Sequence, residues 1–185
     1  IREDAARKRA EEYKLPNAVI GTDMVKVLRK AKPDVGFDCT IPDAHFKVVM
    51  TALKRGCHVL GEKPMAVSMA QARRMVAAAR KAKRVYAVIQ NYRYNLPIRA
   101  LSAFLRGGGI GRIAAVYSDF FLGVHFGGFR DEMKHVLLLD MAIHTFDAAR
   151  FITHADATDV YCQDWNPKYS WYRNGASAVA VFNMT

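Results

Sequence analysis

The chain has 185 residues, 51% of them hydrophobic and 24% charged, enough for one large or two small domains with buried cores and outside the composition of a disordered tail. No apolar run reaches the roughly 18–20 residues of a membrane span, so no membrane partner is expected. The formal net charge is +11, but clusters such as Arg7-Lys8-Arg9 and Arg80-Lys81-Ala82-Lys83-Arg84 sit in helical patterns that also carry an apolar stripe. Without zinc-finger, homeodomain or RNP patterns, that favours a solvated basic face over a nucleic-acid surface.

Residues 2–15 read as a charged helix with Ala6, Ala10 and Tyr13 on one face. Pro16-Asn17 ends it, and Val19-Ile20 predict a very short strand. Asp23 is placed to cap a helix running to Lys30. Asp34 to Thr40 then reads as a strand. Pro42 to Gly56 reads as a helix with Val48, Val49, Ala52 and Leu53 apolar, and Cys57 to Leu60 as a strand. Ser68 to Lys83 is an amphipathic helix. Val85 to Ile89 is a near-continuous apolar strand of the kind covered on both faces. This alternation predicts a parallel sheet with crossover helices, a doubly wound α/β domain over residues 1–91.

After Asn91 the rhythm changes. A helix near Pro97–Arg106 ends at Gly107-Gly108-Gly109, and Arg112 to Phe121 alternates like a strand. An aromatic and glycine-rich loop follows, then a helix over about Leu137–Ile152 and two strands, Asp159–Asp164 and Ala176–Asn183. Long strands with few helices predict a second, α+β domain over residues 92–185 whose open sheet is large and mostly antiparallel. Gly107-Gly108-Gly109-Ile110-Gly111 does not satisfy G-x-G-x-x-G and follows a helix, so it predicts a turn.

Three widely spaced cysteines fit a reducing compartment, the cytoplasm, and Cys39 and Cys57 fall in strand patterns where a thiol acts as a small apolar group. Neither CxxC nor HExxH is present, so no metal is expected.

The chemistry concentrates at the carboxyl ends of the first three strands. These deliver Thr40-Ile41-Pro42-Asp43-Ala44-His45, Gly61-Glu62-Lys63-Pro64 and Gln90-Asn91-Tyr92-Arg93, and in a doubly wound sheet such ends line the ligand crevice. Alone, Glu62-Lys63-Pro64 reads as a βα turn with a solvated charge pair. Pro64 restrains Lys63 to an extended backbone, and the bond between them is open to a cis form. In the second domain Asp140, His144 and Asp147 fall at i, i+4 and i+7 and share one helix face. That face is either a solvated polar stripe or a place where an imidazole moves a proton near neutral pH.

The order Thr40-x-Pro42-x-x-His45, Glu62-Lys63-Pro64 and Asp140-x-x-x-His144-x-x-Asp147 resembles the glucose–fructose oxidoreductase/inositol dehydrogenase (Gfo/Idh/MocA) family over essentially the whole chain. The resemblance implies a Rossmann-type cofactor domain, a substrate domain and an oxidoreductase. NAD or NADP would take a hydride from a secondary alcohol of a sugar, inositol or related polyol. It makes Lys63, Asp140 and His144 the catalytic group, and Thr40, Pro42, His45, Glu62, Lys63 and Asn91 the lining of the nicotinamide side. Substrate would meet Lys63, Asp140 and His144, with Arg93, Tyr92 and Trp165 as further contacts. A homo-dimer or homo-tetramer is expected by the same analogy. Two other activities fit the same residues: binding of nucleotide or sugar without turnover, and NAD-assisted glycoside cleavage.

The sequence departs from the family pattern in ways that bear on function. It has no initiator Met and opens inside a helical pattern, so a piece truncated at both ends is expected, lacking the first strand and its G-x-G-x-x-G. Ala142 stands where glycine is common, and no glycine-rich run precedes Asp140.

Overall fold

In the computed structural model, which describes residues 2–185, the first helix, α1 (Glu3–Glu12), carries its charges as the sequence pattern predicts. Glu3 and Asp4 lie in its first turn, Arg7 pairs with Glu3 at 2.5 Å and Arg9 with Glu12 at 2.6 Å. Asp23 caps α2 (Met24–Ala31), its Oδ1 accepting from the Val25 and Lys26 amides at 2.9 and 3.1 Å. Strand β1 (Val35–Asp38) leads to α3 (Pro42–Lys54), which starts on Pro42 where a missing N–H costs nothing. Then come β2 (His58–Gly61), α4 (Met69–Ala82) with Ser68 Oγ accepting from the Gln71 amide, and β3 (Tyr86–Val88).

β1, β2 and β3 form a parallel sheet in that order. Its register explains which face is buried. Gly36–Val59–Tyr86 and Asp38–Gly61–Val88 form alternate rows across the sheet, and Phe37–Leu60–Ala87 lies between them on the opposite face. Val59 and Cys57 pack with Val49, Ala52 and Leu53 of α3 and Met75 and Ala79 of α4, while Met24 and Leu28 of α2 close the edge. The larger buried ones, Val49, Leu53, Val59 and Met75, contribute about 1.5–3 kcal/mol each. Phe37 stays 69% exposed and Ala87 is exposed, so β3 is not covered on both faces among the described residues. Burial pushes the Cys57 thiol pKa up, as befits an inert core thiol, whereas Cys39, beyond the end of β1, is exposed and does not pack.

The chain divides into two units, Ile1–Val88 and Ile89–Thr185. The second begins with a 3-10 turn (Asn91–Tyr94) and α5 (Leu96–Arg106), followed by a long irregular stretch, a 3-10 turn (Gly128–Glu132) and a π-helical turn (Leu137–Met141). The π turn runs into α6 (Ala142–Thr153), and β4 (Ala157–Trp165) and β5 (Ser177–Met184) close the unit as an antiparallel pair. The glycine run 107–111 is a turn, with Gly108 and Gly111 at positive φ.

Two strands expected from the sequence are absent. Val19-Ile20 and residues 112–121 have suitable residues, but a strand exists only where a neighbour accepts its backbone hydrogen bonds. The described ladders are β1–β2–β3 and β4–β5, and neither includes them. Tyr117 and Phe121 are accordingly 94% and 90% exposed. Among the described residues no helix is long and apolar enough to cross a membrane.

Candidate functional site

In the first unit the end of β1 is organised by a buried carboxylate. Asp38 is 2% exposed and His45, one turn into α3, is 1% exposed. His45 Nδ1 lies 2.9 Å from Asp38 Oδ2, and the Thr40 hydroxyl and amide both donate to Asp38 Oδ1, at 2.6 and 3.1 Å. Burial alone pushes the Asp38 pKa up; the His45 and Thr40 hydrogen bonds and the pull of His45 outweigh it and hold the carboxyl below its ordinary value. An ionised Asp38 assigns the Nδ1 proton to His45, which donates it to the carboxylate. His45 Nε2 is buried with no hydrogen-bond partner.

Tyr86 of β3 lies in the neighbouring register row. Its ring lies over Gly61, where a Cβ would meet it at 3.5 Å and Asp38 Cβ at 3.9 Å, both ordinary van der Waals contacts. Burial first, and the Asp38 charge second, push the Tyr86 phenol from its usual value near 10 up to about 12. The unfolded chain ionises at about 10 and the folded one later. The stability that this phenol contributes is therefore intact below pH 10 and is lost as pH rises from there through about 12. In an absorbance titration of the eight tyrosines, the last to ionise is expected near pH 12 and to vanish in Tyr86→Phe. Retention of that component in the variant would show the assignment to be wrong.

β2 ends in Gly61-Glu62-Lys63-Pro64. Glu62 and Lys63 are half-buried, Pro64 is buried, and the Lys63–Pro64 peptide is cis. The Glu62 amide donates to the Asp38 carbonyl at 2.9 Å, which ties this end to that of β1. The unit therefore brings Thr40, Pro42, Glu62 and Lys63 to adjacent parallel strand ends, with His45 beneath as the partner of Asp38. A hydroxyl, a carboxylate and an ammonium at adjacent strand ends match the amide and ribose hydroxyls of a nicotinamide nucleoside. The sequence contains no G-x-G-x-x-G, so these residues fit that half of a dinucleotide and supply no pyrophosphate cradle.

The second unit places its polar residues on the inner face of the last helix. Asp140, His144 and Asp147 are 2%, 6% and 7% exposed, which rules out a solvated stripe. Asp140 lies in the π turn and His144 in the first turn of α6; π turns recur at functional sites. The carboxylates are neutralised by arginines. Arg130 Nε donates to Asp140 Oδ2 at 2.6 Å, and its guanidinium lies 4.5 Å from the Phe129 ring centre and 5.1 Å from that of Phe126. Arg93 holds Asp147 with two donors, Nε to Oδ2 at 2.9 Å and Nη2 to Oδ1. That hydrogen bond with Asp147, above the opposing effect of burial, raises the Arg93 pKa further. Tyr92, adjacent to Arg93, stacks on His144 with ring centres 4.3 Å apart and planes 14° apart.

Asn91 opens the same 3-10 turn and is exposed. Trp165, at the end of β4, is 46% exposed. Sequence reasoning missed Arg130. Its one signal was a lone arginine in the aromatic loop, shortly before a carboxylate destined for burial. The tie between Arg93 and Asp147 spans 54 residues and had no signal in the pattern. Among the described residues no group of three or more His, Cys, Asp or Glu side chains could hold a metal ion.

Residues 1–90 match the Gfo/Idh/MocA profile, that of an oxidoreductase family with an NAD-binding Rossmann fold. The chain belongs to this family. It is 32% identical over 152 residues to D-glucoside 3-dehydrogenase of Escherichia coli, covering 80% of this chain and 43% of the relative. It is 33% identical over 134 residues to 1,5-anhydro-D-fructose reductase of Ensifer adhaerens, covering 69% and 40%. The chain thus spans about two-fifths of these curated relatives' length. Among solved structures, an inositol dehydrogenase homolog of Azotobacter vinelandii complexed with NAD+ superposes with a TM-score of 0.85 at 18% identity, over 100% of this chain and 52% of that one. At that identity the likeness concerns the fold, and both units of the chain fall within it.

Proposed function

We propose that the protein is an NAD(P)-dependent dehydrogenase that oxidises a secondary alcohol of a sugar or polyol. The observation that carries the reading is the buried face of α6 and its π turn. An imidazole and two carboxylates with less than a tenth of their surface exposed cost stability unless paired. Two arginines and a stacked tyrosine hold them in place. The names of the curated relatives, a glucoside dehydrogenase and an anhydrofructose reductase, support the substrate class.

In this reading the bound nicotinamide supplies the hydride acceptor, which no side chain can replace. His144 takes the hydroxyl proton, and Asp140, its charge shared with Arg130, orients and balances the imidazole. Lys63 polarises the alcohol oxygen and steadies the negative charge that grows on it as the proton leaves. In the reverse reduction the same groups return the proton. Thr40, Pro42, Glu62 and Asn91 line the nicotinamide side, and His45 acts there from beneath, through Asp38 and Thr40. The intact protein would work as a dimer or tetramer.

The test is turnover of NAD and of NADP, followed at 340 nm, by the intact protein across aldoses, methyl glycosides and inositols. At least one sugar or polyol is expected to support reduction of one nucleotide, with turnover lost in His144→Ala. Nucleotide binding without turnover on any member of the panel would overturn the reading in favour of a non-catalytic relative.

A further inference from the structure

The irregular stretch of the second unit carries a cluster that the proposed reaction does not use. His125 Nε2 lies 2.7 Å from Asp131 Oδ1, and the His125 ring stacks on Trp171 with centres 5.4 Å apart and planes 27° apart. Tyr172 meets the same imidazole edge-on at 5.4 Å. Gly127, at φ +66°, turns the chain back between His125 and Asp131 and so allows this pair to form. Trp171 remains 49% exposed, and the side chains of His125 and Asp131 are 45% and 33% exposed. An indole with one side packed and half its surface open stands beside a carboxylate and an imidazole that both reach water.

The cluster is fixed from both ends. The connection between β4 and β5, which carries Trp171, is tied to the segment that carries Asp131 by several contacts. Arg173 pairs with Glu132 at 2.9 Å, the Asn174 amide donates to the Glu132 carbonyl, and the Gly175 N–H donates to the Lys134 carbonyl at 3.1 Å. His135 adds a 2.6 Å contact to Asp164. Asp131 follows Arg130, the residue that holds Asp140. The platform and the buried carboxylate thus depend on one 3-10 turn.

We propose that Trp171, His125 and Asp131 form a pyranose-binding subsite, which deepens the dehydrogenase reading and rests on it for the substrate class. A pyranose presents one face of axial C–H bonds and a rim of hydroxyls. The first matches an exposed indole face, which is apolar and negatively polarised, and the second matches a carboxylate acceptor beside an imidazole. An acyclic polyol has no such face to offer. The subsite therefore selects ring-form sugars and glycosides over open-chain polyols.

The experiment titrates the intact protein with methyl β-D-glucopyranoside, using erythritol as the acyclic control, and reads the heat of binding by isothermal titration calorimetry together with KM in the turnover assay. A saturable signal is expected with the glycoside alone. Trp171→Ala should weaken it by about tenfold or more, and Trp171→Tyr should retain most of it. Asp131→Asn should weaken binding with the melting temperature and far-ultraviolet spectrum unchanged. Equal glycoside affinity and KM in Trp171→Ala, in a protein that turns sugars over, would overturn the subsite and leave the dehydrogenase reading standing. Glycoside binding lost in Trp171→Ala, in a protein that turns nothing over, would support the subsite and remove the dehydrogenase reading.

Discussion

Lys63→Ala is expected to lower kcat by about 10²–10⁴-fold while the intact protein still binds its nicotinamide nucleotide. The size follows from the charge that develops on the alcohol oxygen as its proton leaves. An ammonium beside that oxygen lowers the cost of the charge, and alanine provides nothing in its place. Because the interaction strengthens as the oxygen becomes negative, its loss should fall on kcat and kcat/KM together. Nucleotide affinity, read from the quenching or enhancement of bound NADH fluorescence, should move far less, since the proposed contacts of Thr40 and Glu62 remain. Unchanged turnover would remove Lys63 from the reaction. Loss of nucleotide binding in parallel with turnover would make it a cofactor contact instead. Addition of a primary alkylamine gives a further check, because a small ammonium that enters the vacated space should restore part of the lost rate.

How much of this could be read from the chain depends on the range of the interaction concerned. Asp23 and Ser68 cap their helices through bonds spanning two or three residues, and Pro42 opens α3 through its own ring; local chemistry sets all three. The parallel sheet was legible for a related reason, since crossover helices leave alternating apolar patterns in sequence. Residues 112–121 carry the same kind of pattern and form no strand, because the ladder that makes a strand is a property of its neighbour. The face shared by Asp140, His144 and Asp147 followed from helical spacing, although a π turn breaks the 3.6-residue period within it. Its burial did not follow, for polar residues at that spacing more often face water. The partners that make burial tolerable, Arg93, Tyr92 and Arg130, come from segments whose placement no periodicity encodes.

The same reasoning changes the role open to His45. By resemblance it lined the cofactor crevice, and the structure makes it the buried partner of Asp38, itself the acceptor for Thr40. A residue can matter to a strand end through such a chain of contacts, here by fixing the carboxylate to which the Thr40 hydroxyl donates. The orphaned Nε2 remains a polar atom under the strand ends, where a ligand-borne donor or a water would satisfy it.

Arg130→Leu is expected to destabilise the second unit by about 3 kcal/mol, because it leaves the Asp140 carboxylate at 2% exposure without its guanidinium. Breaking a buried pair costs more than the pair contributes, since the remaining charge must stay desolvated. The partial exposure of Arg130, 27% of its side chain, places the figure at the lower end of the usual range. Loss of the contacts with Phe126 and Phe129 adds about 0.5–1 kcal/mol each at a half-exposed site. In thermal denaturation the drop in Tm should be on the order of 10 °C. Arg130→Lys should recover little, for an ammonium cannot donate from a planar fork and stack on two rings at once. The double variant Arg130→Leu with Asp140→Asn separates charge from packing. Removing the carboxylate's charge along with its partner should restore most of the stability and none of the turnover. If the single and double variants melt together, the carboxylate is not held by Arg130, and the arginine's contribution is its packing between Phe126 and Phe129. If instead the double variant melts near the wild type, the Arg130–Asp140 pair is retained at a cost that folding does not require, as expected of a charge kept for proton transfer at His144.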